Sequence, residues 1–529
     1  MPFSSERGKS YIKHIVGKVP HATVLDVGCG SGAYAAMFED STITGVEVWE
    51  PYVKKYNLES LYDNLIITDA RAWEPTDGVH YDVAIAGDVL EHMTADEAKA
   101  LLRKLRRIAS TVVVSIPLGH YPQDAWEGNP YERHVVDDWT HERFVEAFGQ
   151  PDAYTIDDFI GVYVWSEHKL RPKIAVYAIS KNEEQFVERF CASGKEADVI
   201  VIADTGSTDG TACRALACGA QVHDIYISPW RFDLARNAAL ALVPRDVDIC
   251  VSLDLDEELQ PGWREEIERV WDLGKTTRLR YMFDWGAGIA FKYEKIHARH
   301  GYFWHHPCHE YPIADGRITE VWADTDALLV IHKPDPTKSR GQYLDLLALS
   351  VKEDPHCPRN AFYYARELSF HKQWEQSIEA CEAYLRLPGA VWANERCYAY
   401  RVMGRCYSEL GDLNGAERAF MLGASEAPNT REPWCELAML MYRQSRWEES
   451  FAYAMRALKI VDRTKVYTCD PAVWGHQPHD LAAVAAWNLG LKDIALAQAQ
   501  LALSHDPNDA RLQANVRWML GDATPLKAA

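Results

Sequence analysis

The sequence predicts a multidomain α/β + α chain: two α/β domains, each built on a largely parallel sheet, followed by an array of helical repeats. Three observations carry this. An apolar run enters a glycine-rich turn at HATVLDVGCGSGAYAAMF (21–38). Three further apolar runs end in polar clusters, at IAVYAISKNEE (174–184), ADVIVIADTGSTDGT (197–211) and DICVSLDLDEEL (248–259). From residue 340 onward the pattern is helical, with Tyr400 and Trp434 opening similar units 34 residues apart. Short apolar runs bounded by turn signals suit strands buried on both faces of a parallel sheet, where ligands bind beyond the carboxyl ends.

The bulk properties set limits. A length of 529 residues suits about three domains of the usual size. The formal net charge of −21 argues against nucleic acid and against anionic membrane surfaces. Twelve cysteines are scattered without a C-x-x-C pair, the pattern of reduced thiols in a cytoplasm. No signal peptide opens the sequence, and no apolar run approaches the roughly 18 residues of a membrane span. The expected domains are 1–168, 169–339 and 340–529, with the charged, proline-bearing EHKLRPK (167–173) as the first linker.

In the first domain, Gly28, Gly30 and Gly32 let the backbone approach a ligand at a helix start, just after Asp26. A G-x-G-x-G alone fits a nucleotide site or a tight structural turn equally well. Three more strand ends strengthen it: TITGVEVWE ends near Glu47, LIITDARAW places Asp69, and YDVAIAGDVLEHM places Asp88. This series, with LDVGCGSG as its first motif, resembles class I S-adenosylmethionine-dependent methyltransferases over roughly 150 residues. The resemblance implies a Rossmann-like domain with S-adenosylmethionine as cofactor, Glu47 on its ribose and Asp69 near its adenine. The segment HYPQDAWEGNPYERHVVDDW (120–139) is expected to cover the site. Its Tyr121, Trp126 and Tyr131 suit a sugar acceptor, and His134 or His120 would take the hydroxyl proton.

In the second domain a strand delivers Asp254 and Asp256 at its end. Such a pair can place one carboxylate on Mg²⁺ or Mn²⁺, which neutralises a diphosphate leaving group, although an isolated D-x-D also suits a solvated acidic turn. The combination N-E (182–183), D-T-G-S-T-D-G-T (204–211), ARNAAL (235–240) and L-D-L-D-E resembles family-2 GT-A glycosyltransferases over about 170 residues. That resemblance implies a nucleotide-sugar donor, UDP-linked and transferred with inversion. It puts Asn182, Glu183, Asp204 and Arg236 around the nucleoside, Asp254 against the ribose or metal, and Asp256 and His332 on the metal. Glu310 is the candidate base, with Asp284 its rival, and His305, His306 and His309 compete as ligands.

In the tail, Tyr400, Gly404, Tyr407, Ala416, Phe420 and Pro428 match tetratricopeptide spacing. Trp434, Leu437, Ala438, Ala454 and Ala457 repeat it, with looser units around 361–385 and 480–507. The segment VYTCDPAVWGHQP (466–478) is expected to be a loop between repeats. Such units stack because one helix pair cannot bury its apolar face alone. The sequence thus predicts a bifunctional enzyme that glycosylates a protein or glycan acceptor held by the tail, then O-methylates the sugar. Alternatives are a surface-polysaccharide assembly enzyme and a binding scaffold with degenerate catalytic domains; a homo-oligomer is also compatible.

Overall fold

The computed structural model describes residues 5–38, 40–286, 288–335, 341–464 and 466–521. The first sheet contains β1 (Thr23–Val27), β2 (Thr42–Glu47), β3 (Asn64–Ile67), β4 (Tyr81–Gly87), β5 (Ala109–Pro117), β6 (Ala153–Asp157) and β7 (Ile160–Ser166). Their order is β3-β2-β1-β4-β5-β7-β6. The first five strands are parallel, and β7 runs antiparallel to both neighbours. The order reverses between β1 and β4, which opens a crevice at their carboxyl ends.

Alternate residues of these strands feed two cores. Leu25, Val27, Ala84, Ala86, Val112 and Val114 pack with Leu101, Leu105, Trp139 and Phe144. Val24, Val83, Ile85 and Val113 face Tyr11, Ile12 and Ile15 of the helix Lys9–Val16. Burial on both faces explains why the strands read as unbroken apolar runs rather than alternating ones. The helix Ala95–Ile108 starts on a capping box, in which Thr94 and Glu97 satisfy each other's backbone N–H groups.

The second sheet contains β8 (Ile174–Ser180), β9 (Val199–Asp204), β10 (Gln221–Asp224), β11 (Ile249–Ser252), β12 (Glu257–Leu259), β13 (Arg278–Gly286), β14 (Ile289–Ala298) and β17 (Trp322–His332). Its order is β10-β9-β8-β11-β14-β13-β17-β12. Strands β8 to β11 are parallel, so the ends of β8, β9 and β11 lie along one edge. The antiparallel β14 joins β11 to the rest. A separate hairpin, β15 (Tyr302–His305) with β16 (Tyr311–Ala314), carries the His-rich segment.

The two α/β units are packed together. Ser10 and Lys173 both bond the Asp246 carboxylate, and Gln150 donates to the Gly274 carbonyl at 3.1 Å. Asp248 is half-buried next to Tyr11, and desolvation pushes its carboxyl up to about 7.

Ten helices between Tyr343 and Leu520 follow among the described residues. The expected boundary at 339/340 lies outside the described residues. Gly404 has a packing reason: a Cβ there would come within 2.4 Å of the Phe420 ring on the next helix. One cross-helix bond recurs, from Ser377 Oγ to the Ala365 carbonyl at 2.8 Å and from Ser450 Oγ to that of Ala438 at 2.9 Å. The array also packs on the second unit. Arg231 pairs with Glu353 at 2.6 Å, and the His309 ring stacks on Tyr363 at 4.0 Å.

The expected loop at 466–478 holds a 3₁₀ turn, Pro471–Trp474, and its last two residues open the helix Gln477–Asn488. It also folds back. Tyr467 stacks on Tyr363 and donates to Glu395, and Arg463 just before it donates to the Gly288 carbonyl at 2.8 Å.

Candidate functional site

The first site is the crevice at the carboxyl edge of the first sheet. Gly28, Gly30, Glu47, Asp69 and Asp88 all line it, together with Arg71, Gly87, His92, Asn129, Tyr131 and Glu132. Gly28 has φ +75° and Gly30 φ +51°, a left-handed backbone that favours glycine. A Cβ on Gly28 would lie 2.6 Å from Val89, so the loop has no space there for a side chain.

Glu47 closes β2 and is 4% exposed. Its two oxygens accept the N–H groups of Gly30 at 2.9 Å and Trp49 at 2.8 Å. Burial raises its pKa. Each oxygen keeps lone-pair capacity for a further donor, as a ribose diol would need. The Asp69 carboxylate is held by Arg71 at 2.6 Å, which keeps it below its ordinary value. Asp88 has φ +54° and accepts from Ser115 Oγ and the Ser5 N–H, both at 3.3 Å.

Two expected residues sit elsewhere. Asp26 lies beneath the glycine turn, 1% exposed, where Tyr62 donates to it at 2.6 Å and burial pushes it up to about 6. Gly32 packs against Leu58 and Leu61 instead of the crevice. Both support the turn from behind.

Of the aromatic residues expected around the acceptor, Tyr131 lines the crevice. Tyr121 stacks on Phe159 at 5.7 Å, and Trp126 forms an isolated bridge with Asn129. His134 does not line the crevice but lies 5.0 Å, ring to ring, from His92, which does. His134 Nδ1 faces the Tyr121 carbonyl at 2.6 Å, and His92 Nδ1 that of Arg133 at 3.1 Å. Burial lowers both pKa values, that of His92 to about 4. Both rings are therefore neutral near pH 7, with a lone pair on Nε2. His120 is remote from this pair in character, exposed and 3.7 Å from Asp137. Sequence reasoning missed His92 and Glu91, although DVLEHM displays them; the 3₁₀ turn Leu90–His92 is what gives these neighbours different surroundings.

The second site lies at the carboxyl edge of the second sheet, and here the expected residues largely engage one another. Asp204 accepts from Ser180 Oγ, Ser207 Oγ and the N–H groups of Gly206 and Ser207 at 2.6–3.0 Å. Burial opposes its ionisation, but these bonds outweigh it and hold the pKa low. Asn182 Oδ1 accepts the Thr208 N–H at 2.7 Å, and the Glu183 N–H donates to Thr211. Both fasten the β8 and β9 loops together.

Arg236 is 4% exposed, lies over the Trp304 ring, and bridges Asp254 at 2.5 Å to Glu310. Lys295 approaches Asp254 at 3.1 Å and Glu257 at 3.2 Å. The cations outweigh burial and hold the Asp254 carboxylate far down. Glu310 is accordingly committed to a guanidinium, and Asp284 accepts the Gly286 N–H at 2.8 Å. The β12–β17 register pairs Glu257 with His332 and so brings Asp256 beside the imidazole, Oδ2 to Nε2 3.4 Å. Burial disfavours the imidazolium, but Asp256 outweighs this and raises the His332 pKa. The Trp285 ring covers His332 at 4.5 Å. His305 and His306 lie ring to ring at 4.0 Å, with His306 bonded to Asn360 in the helical array.

Residues 24–111 match the family model described as a methyltransferase domain. The match runs from β1 into β5 and includes every expected cofactor residue. The chain therefore carries a methyltransferase domain, and such a domain implies S-adenosylmethionine. No curated protein matches the chain. Solved structures similar to it include the APC/C hetero-tetramer Cut9–Hcn1, at 17% identity over 34% of this chain and 33% of that one, TM-score 0.28. YrrB, a TPR protein with an unusual peptide-binding site, matches at 16% identity over 33% and 82%, TM-score 0.27. A thermophilic TPR protein in Thermus thermophilus, TTC0263, matches at 19% identity over 34% and 91%, TM-score 0.25. At such scores these likenesses carry no argument, and the helical array is read from its own helices.

Proposed function

We propose that the chain is an S-adenosylmethionine-dependent O-methyltransferase acting on a sugar that its second unit transfers. The observation that supports the methylation half is the convergence of Gly28, Gly30, Glu47, Asp69 and Asp88 on one crevice at the strand-order reversal. The residues suit the cofactor: two left-handed glycines admit its backbone-hugging part, and Glu47 offers a buried carboxylate to a diol. When bound, the cofactor supplies an electrophilic methyl group. The chain's own task is to orient an acceptor hydroxyl from the side of Asp88, His92 and Tyr131 and to remove its proton, for which His134 is the candidate base. Titration calorimetry tests this. S-adenosylmethionine should bind the full chain, and Glu47→Ala should weaken binding; no binding to folded wild-type protein would end the reading.

The second half is a nucleotide-sugar transferase with a UDP-sugar donor, inversion, and Mn²⁺ or Mg²⁺. The observation favouring it is Asp256 held 3.4 Å from His332 at the same sheet edge as Asp204 and Asp254. An arriving cation and diphosphate would compete with Lys295 and Arg236 for Asp254. Glu310, once Arg236 turns from it to the nucleotide, or else Asp284, would act as base, and Asn182, Glu183 and Arg236 would frame the nucleoside. The helical array would hold a protein or glycan acceptor, in a cytoplasmic setting. Metal-dependent hydrolysis of a UDP-sugar, lost in Asp256→Ala, supports this; equal hydrolysis in EDTA sinks it. If glycosylation comes first, Asp256→Ala abolishes both modifications, whereas Glu47→Ala leaves an unmethylated sugar.

A further inference from the structure

We infer that Glu91, His92 and His134 form a site for one divalent transition-metal ion beside the methyl-donor crevice. One ligand atom from each lies within 4.8 Å of the others. Bonds of about 2.1 Å to a shared ion allow ligand atoms up to about 4.2 Å apart, so a small inward shift closes the set.

Two observations beyond proximity point to a ligand. Glu91 is 1% exposed, and its Oε2 has no hydrogen-bond partner. A buried carboxylate oxygen without a partner is costly unless the group takes up a proton or meets a cation. The histidines are also set up as ligands. Each directs Nδ1 to a backbone carbonyl, Arg133 or Tyr121, which fixes the tautomer and leaves Nε2 its lone pair. Such an outer hydrogen bond regularly accompanies metal-bound imidazole. The cluster His305, His306 and Asp354 offers the contrast. Both His306 nitrogens are taken, by Asn360 at 3.0 Å and Cys357 at 3.7 Å.

Two imidazoles and one carboxylate suit Zn²⁺, Mn²⁺, Co²⁺ or Fe²⁺ better than Mg²⁺ or Ca²⁺, and three protein ligands leave open positions. His92 lines the crevice, so those positions adjoin the acceptor space. The ion's purpose rests on the methyltransferase reading; its binding does not. An acceptor hydroxyl beside the ion would lose its proton to solvent more readily. Its oxygen lone pair then forms the O–CH₃ bond as the donor's S–CH₃ bond breaks, the electron pair staying on sulfur. In this arrangement His134 would serve the deprotonation as a ligand of the ion, in place of taking the proton itself as proposed above.

The test uses the full chain, stripped with EDTA, carrying Asp256→Ala and His332→Ala to silence the other candidate metal site. Co²⁺ is the probe, followed by visible absorption and calorimetry, with S-adenosylmethionine binding measured in parallel. One equivalent of Co²⁺ should bind with a ligand-field band. His134→Ala, at a half-exposed position, and Glu91→Gln should each weaken it by more than about 10-fold while the donor still binds. Co²⁺ binding that is absent, or unchanged in both variants, overturns the site. Co²⁺ bound as expected without donor binding would instead overturn the methyltransferase reading and leave the site standing.

Discussion

The two sheet edges have the same construction but partner several of their carboxylates differently. At the first, Glu47 and Asp88 face an open crevice with backbone donors and a hydroxyl as their partners. At the second, Asp254, Glu257 and Glu310 are matched by Arg236 and Lys295. A carboxylate that keeps lone pairs toward a crevice is ready for a neutral diol. One already neutralised by buried cations must exchange partners before it can hold a metal. Carboxylates at strand ends therefore do not by themselves say whether a site is waiting or occupied by its own side chains.

The sharpest way to break this contrast is to remove the internal cation. Arg236→Ala strips Glu310, whose side chain is 9% exposed, of its guanidinium while Asp254 keeps Lys295, and should cost about 3 kcal/mol of stability, read by denaturant unfolding. Affinity for S-adenosylmethionine should stay the same in protein still folded. A loss below about 1 kcal/mol would mean that the pairs are dispensable and that the second edge is as open as the first.

The converse change fills the first edge. Gly28→Ala adds a Cβ 2.6 Å from Val89 at φ +75°, and donor affinity should fall on the order of 100-fold, about 2.7 kcal/mol. Metal-dependent hydrolysis at the second site should be unaffected. Unaltered affinity would show that the turn does not need its left-handed glycine.

A smaller effect probes the junction between the two units. Asp248 has a folded pKa of about 7, raised by burial, against about 3.9 when unfolded. The unfolded chain thus gives up this proton first as pH rises. Stability from the protonated carboxyl is present at low pH and declines between about pH 4 and 7, by roughly 2 kcal/mol from pH 5 to 7. Asp248→Asn should remove that slope from the melting curves. An identical slope in the variant would place the titration elsewhere.

Much of the fold was legible because its signals are local. Apolar runs marked β1, β4, β8 and β11, and Gly404 with Phe420 marked a helix pair from spacing alone. The crevice was legible as well, since Gly28, Glu47, Asp69 and Asp88 each end a strand of one parallel sheet. What stayed hidden were partners brought together by distant elements. Nothing near Arg236 announces Glu310, which arrives from 74 residues away on a separate hairpin. Lys295 reaches Asp254 from 41 residues on. Asp26 and Gly32 carry the right motif but face the core behind the turn, a distinction of direction that a one-dimensional pattern does not hold.

The smallest expected effect concerns the segment that folds back from the array. Tyr467→Phe removes one bond to Glu395 and should lower stability by about 1 kcal/mol, read from the melting temperature. An unchanged melt would show that Tyr467 acts through its ring stacking alone.

That same segment changes how the tail should fold. A stack of helix pairs gains its stability from nearest neighbours, so it frays from its ends and can be lengthened or shortened by whole units. Here Arg463 reaches Gly288, 175 residues earlier in the chain, and turns an open stack into a closed circuit with the second unit. Closing so long a loop is slow and comes after the local helices are in place. The array should therefore assemble as a loose spring and lock late, and its middle units should exchange amide protons as one block with β14, not helix by helix.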